Sequence, residues 1–224
     1  MSYMTFFLIQ FNMNLIAHRG YTNKNIKENT LEAFGNAINS GFIGFECDVR
    51  LTKDKVPVIC HDPFIDRTSD GKGLIRNLTY KQLLKYNFGN ISKPSKIPTL
   101  KEVLKYNCIK VIELKTYIPL KKYIKLIDDK TYFISFSFSI IKRIKKEYPN
   151  LKIGLLTTFK PNKKYNYNLI CILDEFAKEE NINFYLKKKV DIFIYGIVGK
   201  INIKNPNVFY ITDKKYWLKG LYII

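Results

Sequence analysis

The chain has 224 residues, 46% of them apolar, and a formal net charge of +19; that length and composition suit one large domain with a substantial buried core. Lysine carries most of the charge, and arginine occurs only at Arg19, Arg50, Arg67, Arg76 and Arg143. Nucleic-acid readers favour the arginine fork, so the charge reads as a lysine-rich surface with mild attraction for anionic substrates and surfaces, not as a nucleic-acid footprint. No run approaches the roughly eighteen apolar residues of a membrane span.

Asn14 to His18 reads as a short buried strand that ends at Arg19-Gly20. Thr30 is an expected N-cap for a helix to Ser40, with Leu31, Phe34, Ala37 and Ile38 as its apolar stripe and Gly41 as its stop. A strand from Ile43 to Arg50 follows, which makes a right-handed strand–helix–strand unit. Residues 62–98 are turn-rich, with a short helical pattern at Thr79 to Lys85, and read as an insertion within the single domain of residues 1–224. The alternation then resumes. Helices are expected at Thr99 to Asn107, Pro119 to Asp128, Ser139 to Glu147 and Leu169 to Glu180. Strands are expected at Ile109 to Lys115, Thr131 to Phe136, Lys152 to Thr157, Ile182 to Leu186, Asn207 to Thr212 and Leu221 to Ile224. Asp191 to Val198 is apolar without a clean period. Eight strand centres result, at Leu15, Phe45, Val111, Phe133, Ile153, Phe184, Phe209 and Tyr222. Eight parallel strands with helices between them form a closed (β/α)₈ barrel of TIM type, with its site at the C-terminal strand ends. The open doubly wound sheet lacks the Gly-rich phosphate fingerprint it would need after the first strand.

Residues 44–62 carry the chemistry. Glu46 and Asp48 sit two apart in a β-prone run and share one face. Val56 to Cys60 is a second such run, too near for a parallel crossover, so the two form an antiparallel hairpin at the barrel mouth. A two-residue turn at Asp54-Lys55 would set Asp48 opposite His61. The chain's two histidines, His18 and His61, both fall at that mouth, where a pair of imidazoles can serve as general acid and general base. Glu113 joins Glu46 and Asp48 from a third strand. Oxygen ligands from separate strands suit a hard divalent cation, Mg²⁺ or Ca²⁺. The alternative is a structural salt-bridge cluster of these acids with Lys115 and Arg19. Cys47, Cys60, Cys108 and Cys171 show no metal-finger spacing and read as free thiols in a reducing cytoplasm, although the hairpin leaves a Cys47–Cys60 pair open. Residues 1–12 lack a basic n-region and a cleavage site, and read as an extension before Met13.

His18-Arg19-Gly20, Glu28-Asn29-Thr30, Glu46-x-Asp48-Val49, Thr52-x-Asp54, His61-Asp62, Arg67-Thr68 and Glu113-x-Lys115 together resemble the glycerophosphodiester phosphodiesterase family. The resemblance implies hydrolysis of small phosphodiesters such as glycerophosphocholine or glycerophosphoethanolamine to glycerol 3-phosphate and an alcohol. It implies His18 and His61 as the acid–base pair, Glu46, Asp48 and Glu113 as cation ligands, Arg19 and Lys115 on the phosphate, and Glu28 and Asp62 in support. The related sphingomyelinase D-type phospholipases share this first half, so lipid head-group cleavage is one alternative; a non-catalytic phosphate-binding barrel is another. Three departures stand out: Lys27 where the family has proline, Lys55 where it prefers glycine, and Tyr210-Ile211-Thr212-Asp213 in place of Trp-Thr-Val-Asn. The last of these suggests a tyrosine as the aromatic wall of the mouth.

Overall fold

A computed structural model describes residues 13–159, 167–197 and 203–213. Its strands are β1 (Asn14–Ala17), β2 (Gly44–Leu51), β3 (Pro57–Ile59), β4 (Ile109–Leu114), β5 (Thr131–Ser135), β6 (Lys152–Thr157), β7 (Leu169–Leu173), β8 (Asp191–Tyr195) and β9 (Val208–Thr212). All but β3 run parallel in the order β1-β9-β8-β7-β6-β5-β4-β2, and β1–β2 pairing closes the ring. The expected eight-stranded barrel is therefore present. β3 hangs on β2 as the antiparallel partner of the expected hairpin.

The strands are apolar on both faces because each is covered twice, by the lumen and by the outer layer. The outer layer packs α1 (Leu31–Asn39) on β2, with the Phe34 ring stacked 4.2 Å from that of Phe45. The Thr30 hydroxyl accepts the Ala33 N–H and starts that helix. Two single-turn helices, α2 (Tyr80–Leu83) and α3 (Leu100–Val103), each begin with a reciprocal capping box, Thr79 with Gln82 and Thr99 with Glu102. α4 (Phe138–Glu147) and α5 (Glu179–Lys187) cover the far side.

The lumen is filled from below. Tyr132, Phe193 and Phe209 form an aromatic plug, the last two stacked at 4.6 Å, and Ile16, Val111, Ile134, Leu156, Leu169, Cys171 and Ile211 complete the apolar filling. β2 adds no apolar side chain to that cluster: its lumen-facing positions are Gly44, Glu46 and Asp48. Gly44 and Gly154 keep adjacent strands close, since a Cβ there would lie 2.0 Å from the Ile109 carbonyl oxygen and 1.9 Å from that of Leu169.

Several expected elements differ. The hairpin pairs Val49 with Ile59 and the Cys60 N–H with the Asp48 carbonyl, so Cys60, not His61, stands opposite Asp48. The connection is a three-residue loop, Lys53-Asp54-Lys55, with Lys55 left-handed at φ 63°; the absent glycine shifts the turn rather than forbidding it. Leu169 to Leu173 is strand β7 and Ile182 to Leu186 lies in α5, the reverse of the expected order. The β7 run is a buried, unbroken apolar pentapeptide, whose period cannot separate helix from strand. Pro119 to Asp128 forms two short 3₁₀ turns instead of an α-helix, and the helix after Thr99 stops at Val103. Asp191 to Tyr195 takes the place in the ring assigned to Phe184. The ring closes through β9, while the expected strand at Leu221 to Ile224 lies outside the described residues.

Candidate active site

The acidic cluster lies on β2 and β4, and His18, Lys115 and Asp213 directly follow β1, β4 and β9. Ligand oxygens of Glu46, Asp48 and Glu113 lie within 4.8 Å of one another, from β2 and the adjacent β4, and all three side chains are buried. Burial, then the neighbouring Asp48 charge, pushes the Glu46 carboxyl up to about 8. Glu113 is raised by the same two causes. Asp48 moves the other way: burial would raise it, but Lys115, Asn29 and Arg19 hold it below the usual carboxylate range.

The counter-charges are specific. The Lys115 ammonium lies 3.0 Å from Asp48 and 2.6 Å from Glu113. The Arg19 backbone N–H donates to Glu46 at 3.1 Å, its Nη1 donates to Glu28 at 3.1 Å, and its Nε lies 3.5 Å from Asp48. That buried Nε makes no hydrogen bond, a donor held ready for an acceptor that the protein itself does not supply. Arg19 and Asn29 are both left-handed, at φ 54° and 55°, a conformation costly for side chains larger than glycine. The Asn29 N–H donates to the Arg19 carbonyl and its amide donates to Asp48 at 2.9 Å, so the strained pair is locked to the acidic cluster.

Each histidine has its own carboxylate. His18 Nδ1 is 3.0 Å from Asp213 at the end of β9, and His61 Nδ1 is 2.6 Å from Asp62. Burial lowers the His18 pKa, but the Asp213 hydrogen bond and the Glu46 charge outweigh it, and the net shift is upward. Arg67 joins the second half of the site: it donates to Asp62 and grips both Glu28 oxygens, at 3.0 and 2.7 Å. Charged contacts thus run unbroken from His61 through Asp62, Arg67, Glu28 and Arg19 to Asp48. Arg67 brings Asp62 down to about 2.

The nine residues expected from sequence are therefore brought to one mouth. Sequence reasoning missed Asp213, assigned no role to Asn29 and Arg67, and placed a tyrosine wrongly. Tyr210 turns into the outer layer, where its hydroxyl donates to the Ile203 carbonyl, while Asp213 faces the mouth. The thiols offer no nucleophile. Cys47, Cys60, Cys108 and Cys171 are free, and burial pushes Cys60 and Cys108 up to about 11 and holds the other two well above the ordinary thiol range.

Residues 18–127 match the model of the Glycerophosphoryl diester phosphodiesterase family. The chain is 38% identical over 160 residues to a glycerophosphodiester phosphodiesterase of Caldanaerobacter subterraneus subsp. tengcongensis, covering 63% of this chain and 65% of that protein. It is 30% identical over 214 residues to YhdW of Bacillus subtilis, a candidate for the same activity, covering 88% of this chain and 84% of that one. The chain belongs to the glycerophosphodiester phosphodiesterase family. That family is one of phosphoric diester hydrolases. The solved structure of an Oleispira antarctica phosphodiesterase in complex with the product sn-glycerol-3-phosphate superposes with a TM-score of 0.75 at 21% identity, over 94% of this chain and 97% of that one, which shows the shared barrel. No helix among the described residues is long and apolar enough to cross a membrane.

Proposed function

We propose that the chain hydrolyses small glycerophosphodiesters, such as glycerophosphocholine or glycerophosphoethanolamine, to glycerol 3-phosphate and an alcohol, with a divalent cation at the barrel mouth. The observation that carries this reading is the buried trio of Glu46, Asp48 and Glu113 between two carboxylate-backed histidines. The product bound to the Oleispira antarctica protein supports the glycerol 3-phosphate half of the reading.

The residues fit a hard cation. Three oxygen donors crowd together beside the Lys115 ammonium and the Arg19 side chain, and burial with the neighbouring Asp48 charge drives Glu46 toward its neutral form. Glu46, Asp48 and Glu113 would hold Mg²⁺ or Ca²⁺, which when bound neutralises phosphate charge and polarises the phosphoryl oxygen. Arg19 Nε and Lys115 are placed to take further phosphate oxygens, because neither has its donor capacity used up.

The two histidines divide the proton work. With Asp62 accepting from the Nδ1–H, His61 would keep its Nε2 lone pair to take the proton of the attacking hydroxyl. Asp213 and Glu46 favour protonated His18, so His18 delivers a proton to the departing alkoxide. The P–O bond to the alcohol breaks as the new P–O bond forms, and one water is consumed overall.

The test is a product assay with purified protein on glycerophosphocholine, glycerophosphoethanolamine and micellar lysophospholipid, with Mg²⁺ and Ca²⁺ compared. We expect glycerol 3-phosphate from the soluble diesters, loss of turnover on chelation, and falls of roughly 10²–10⁴-fold in folded His18→Ala and His61→Ala. Full activity in either variant, or turnover confined to the lipid, would overturn the proposal.

A further inference from the structure

Beside the acidic site lies a second cavity of about 540 Å³ with the opposite electrostatic character. Arg50, Lys55 and Arg76 line it together with Thr52, Pro63 and Thr116, and no carboxylate does. The acids nearest in sequence are not in that lining and are already engaged. Asp54 accepts from the Thr52 hydroxyl and the Tyr80 N–H, Asp62 from His61 and Arg67, and Asp66 from the Gly73 N–H. Three cations facing one concavity without a counter-charge repel one another, and a phosphate dianion is the group that removes this cost.

The cavity is joined to the chemistry. Pro63 follows Asp62, Thr116 follows Lys115, and Arg50 stands two residues beyond Asp48 on the same strand. Arg50 also donates through Nε and Nη2 to the His61 carbonyl, at 2.9 and 2.6 Å. A charge drawn to the free side of that guanidinium is felt at the backbone that carries the imidazole.

We propose that this cavity is a second phosphate site, distinct from the cation-binding mouth and coupled to it through Arg50. Its ligand is either a free phosphate or a second phosphate on the alcohol half of a longer diester; the latter case rests on the hydrolase reading above. Lys55 and Arg76 take no part in the acid–base or cation machinery, so they carry the test. The double variant Lys55→Asn, Arg76→Gln keeps a residue tolerant of the left-handed φ at position 55 and removes two charges.

Inorganic phosphate titrated calorimetrically into the full chain should bind roughly tenfold more weakly in the double variant, while Glu46→Gln leaves that component unchanged. Two kinetic arms separate the sources. Phosphate that changes turnover of glycerophosphocholine in wild type but not in the double variant points to the free ion. A KM raised roughly tenfold in the double variant only for a glycerophosphodiester whose alcohol bears a phosphate monoester points to the longer substrate. Equal phosphate affinity in wild type and double variant would overturn the proposal. Weakened phosphate binding with no diester turned over by either protein would uphold the cavity and refute the hydrolase reading alone.

Discussion

Glu46→Gln should stabilise the cation-free protein while abolishing its turnover. Burial and the Asp48 charge raise the Glu46 carboxyl from 4.5 to about 8. An acid raised in the folded state binds its proton more tightly there than in the unfolded chain. Folding is therefore unpenalised below pH 4.5, loses stability as pH climbs, and levels off above about pH 8. At about 1.4 kcal/mol per tenfold in proton affinity, the gap between those two values sets a ceiling of roughly 5 kcal/mol. For a chain of this size that is a Tm difference of several degrees, up to roughly 15 °C. Gln has nearly the same shape and no charge to bury, so it escapes the penalty. Circular-dichroism melts with chelator should converge for the two proteins at pH 5 and separate by pH 8.5, with the variant the more stable. Added Mg²⁺ or Ca²⁺ should raise the wild-type Tm most at high pH, where it no longer competes with the proton. Melts that stay parallel from pH 5 to 9 would rule this out, because a carboxylate that costs nothing to ionise is not held buried beside a second negative charge.

Asp213→Asn removes the charge that keeps His18 protonated against burial and Arg19. The alkaline limb of the kcat profile should move to lower pH, with the acid limb fixed; an unmoved alkaline limb would show that His18 is not the acid. Gly154→Ala places a Cβ 1.9 Å from the Leu169 carbonyl oxygen, a backbone atom that cannot step aside. Wedging β6 from β7 should cost about 1–3 kcal/mol in urea unfolding, and a loss under about 0.5 kcal/mol would contradict the tight ring.

Much of the site was legible because its residues obey short-range rules. Alternation put Glu46 and Asp48 on one face, and Glu113 and Lys115 on another. Strand ends placed His18 and His61 at the mouth, and the motif order supplied Glu28 and Asp62. The hairpin register slipped by one because a two-residue turn was assumed where Lys55 accepts a left-handed φ and lengthens the loop. The β7–α5 swap has a similar origin: Leu169 to Leu173 is apolar throughout, and the buried Ile182 and Tyr185 stand three apart, a helical spacing inside the run expected as a strand. The count of eight strands survived only because β8 filled the place given to Phe184. Asp213 was beyond reach for a different reason. Its partner is 195 residues away, and only ring closure, through the His18 N–H on the Thr212 carbonyl, brings them together. Arg67 likewise shows its role only once Glu28 and Asp62 are seen on either side of it.

The proposed chemistry requires one cation site between the only two imidazoles in the chain. Histidine-labelled protein gives just two ring Cε1–H signals, and Mn²⁺ in place of the native cation broadens any proton close to it. Titration with Mn²⁺ should broaden both signals together at one equivalent, and Glu46→Gln with Asp48→Asn should leave both sharp. A spectrum in which either imidazole keeps its linewidth while Mn²⁺ is bound would contradict the account.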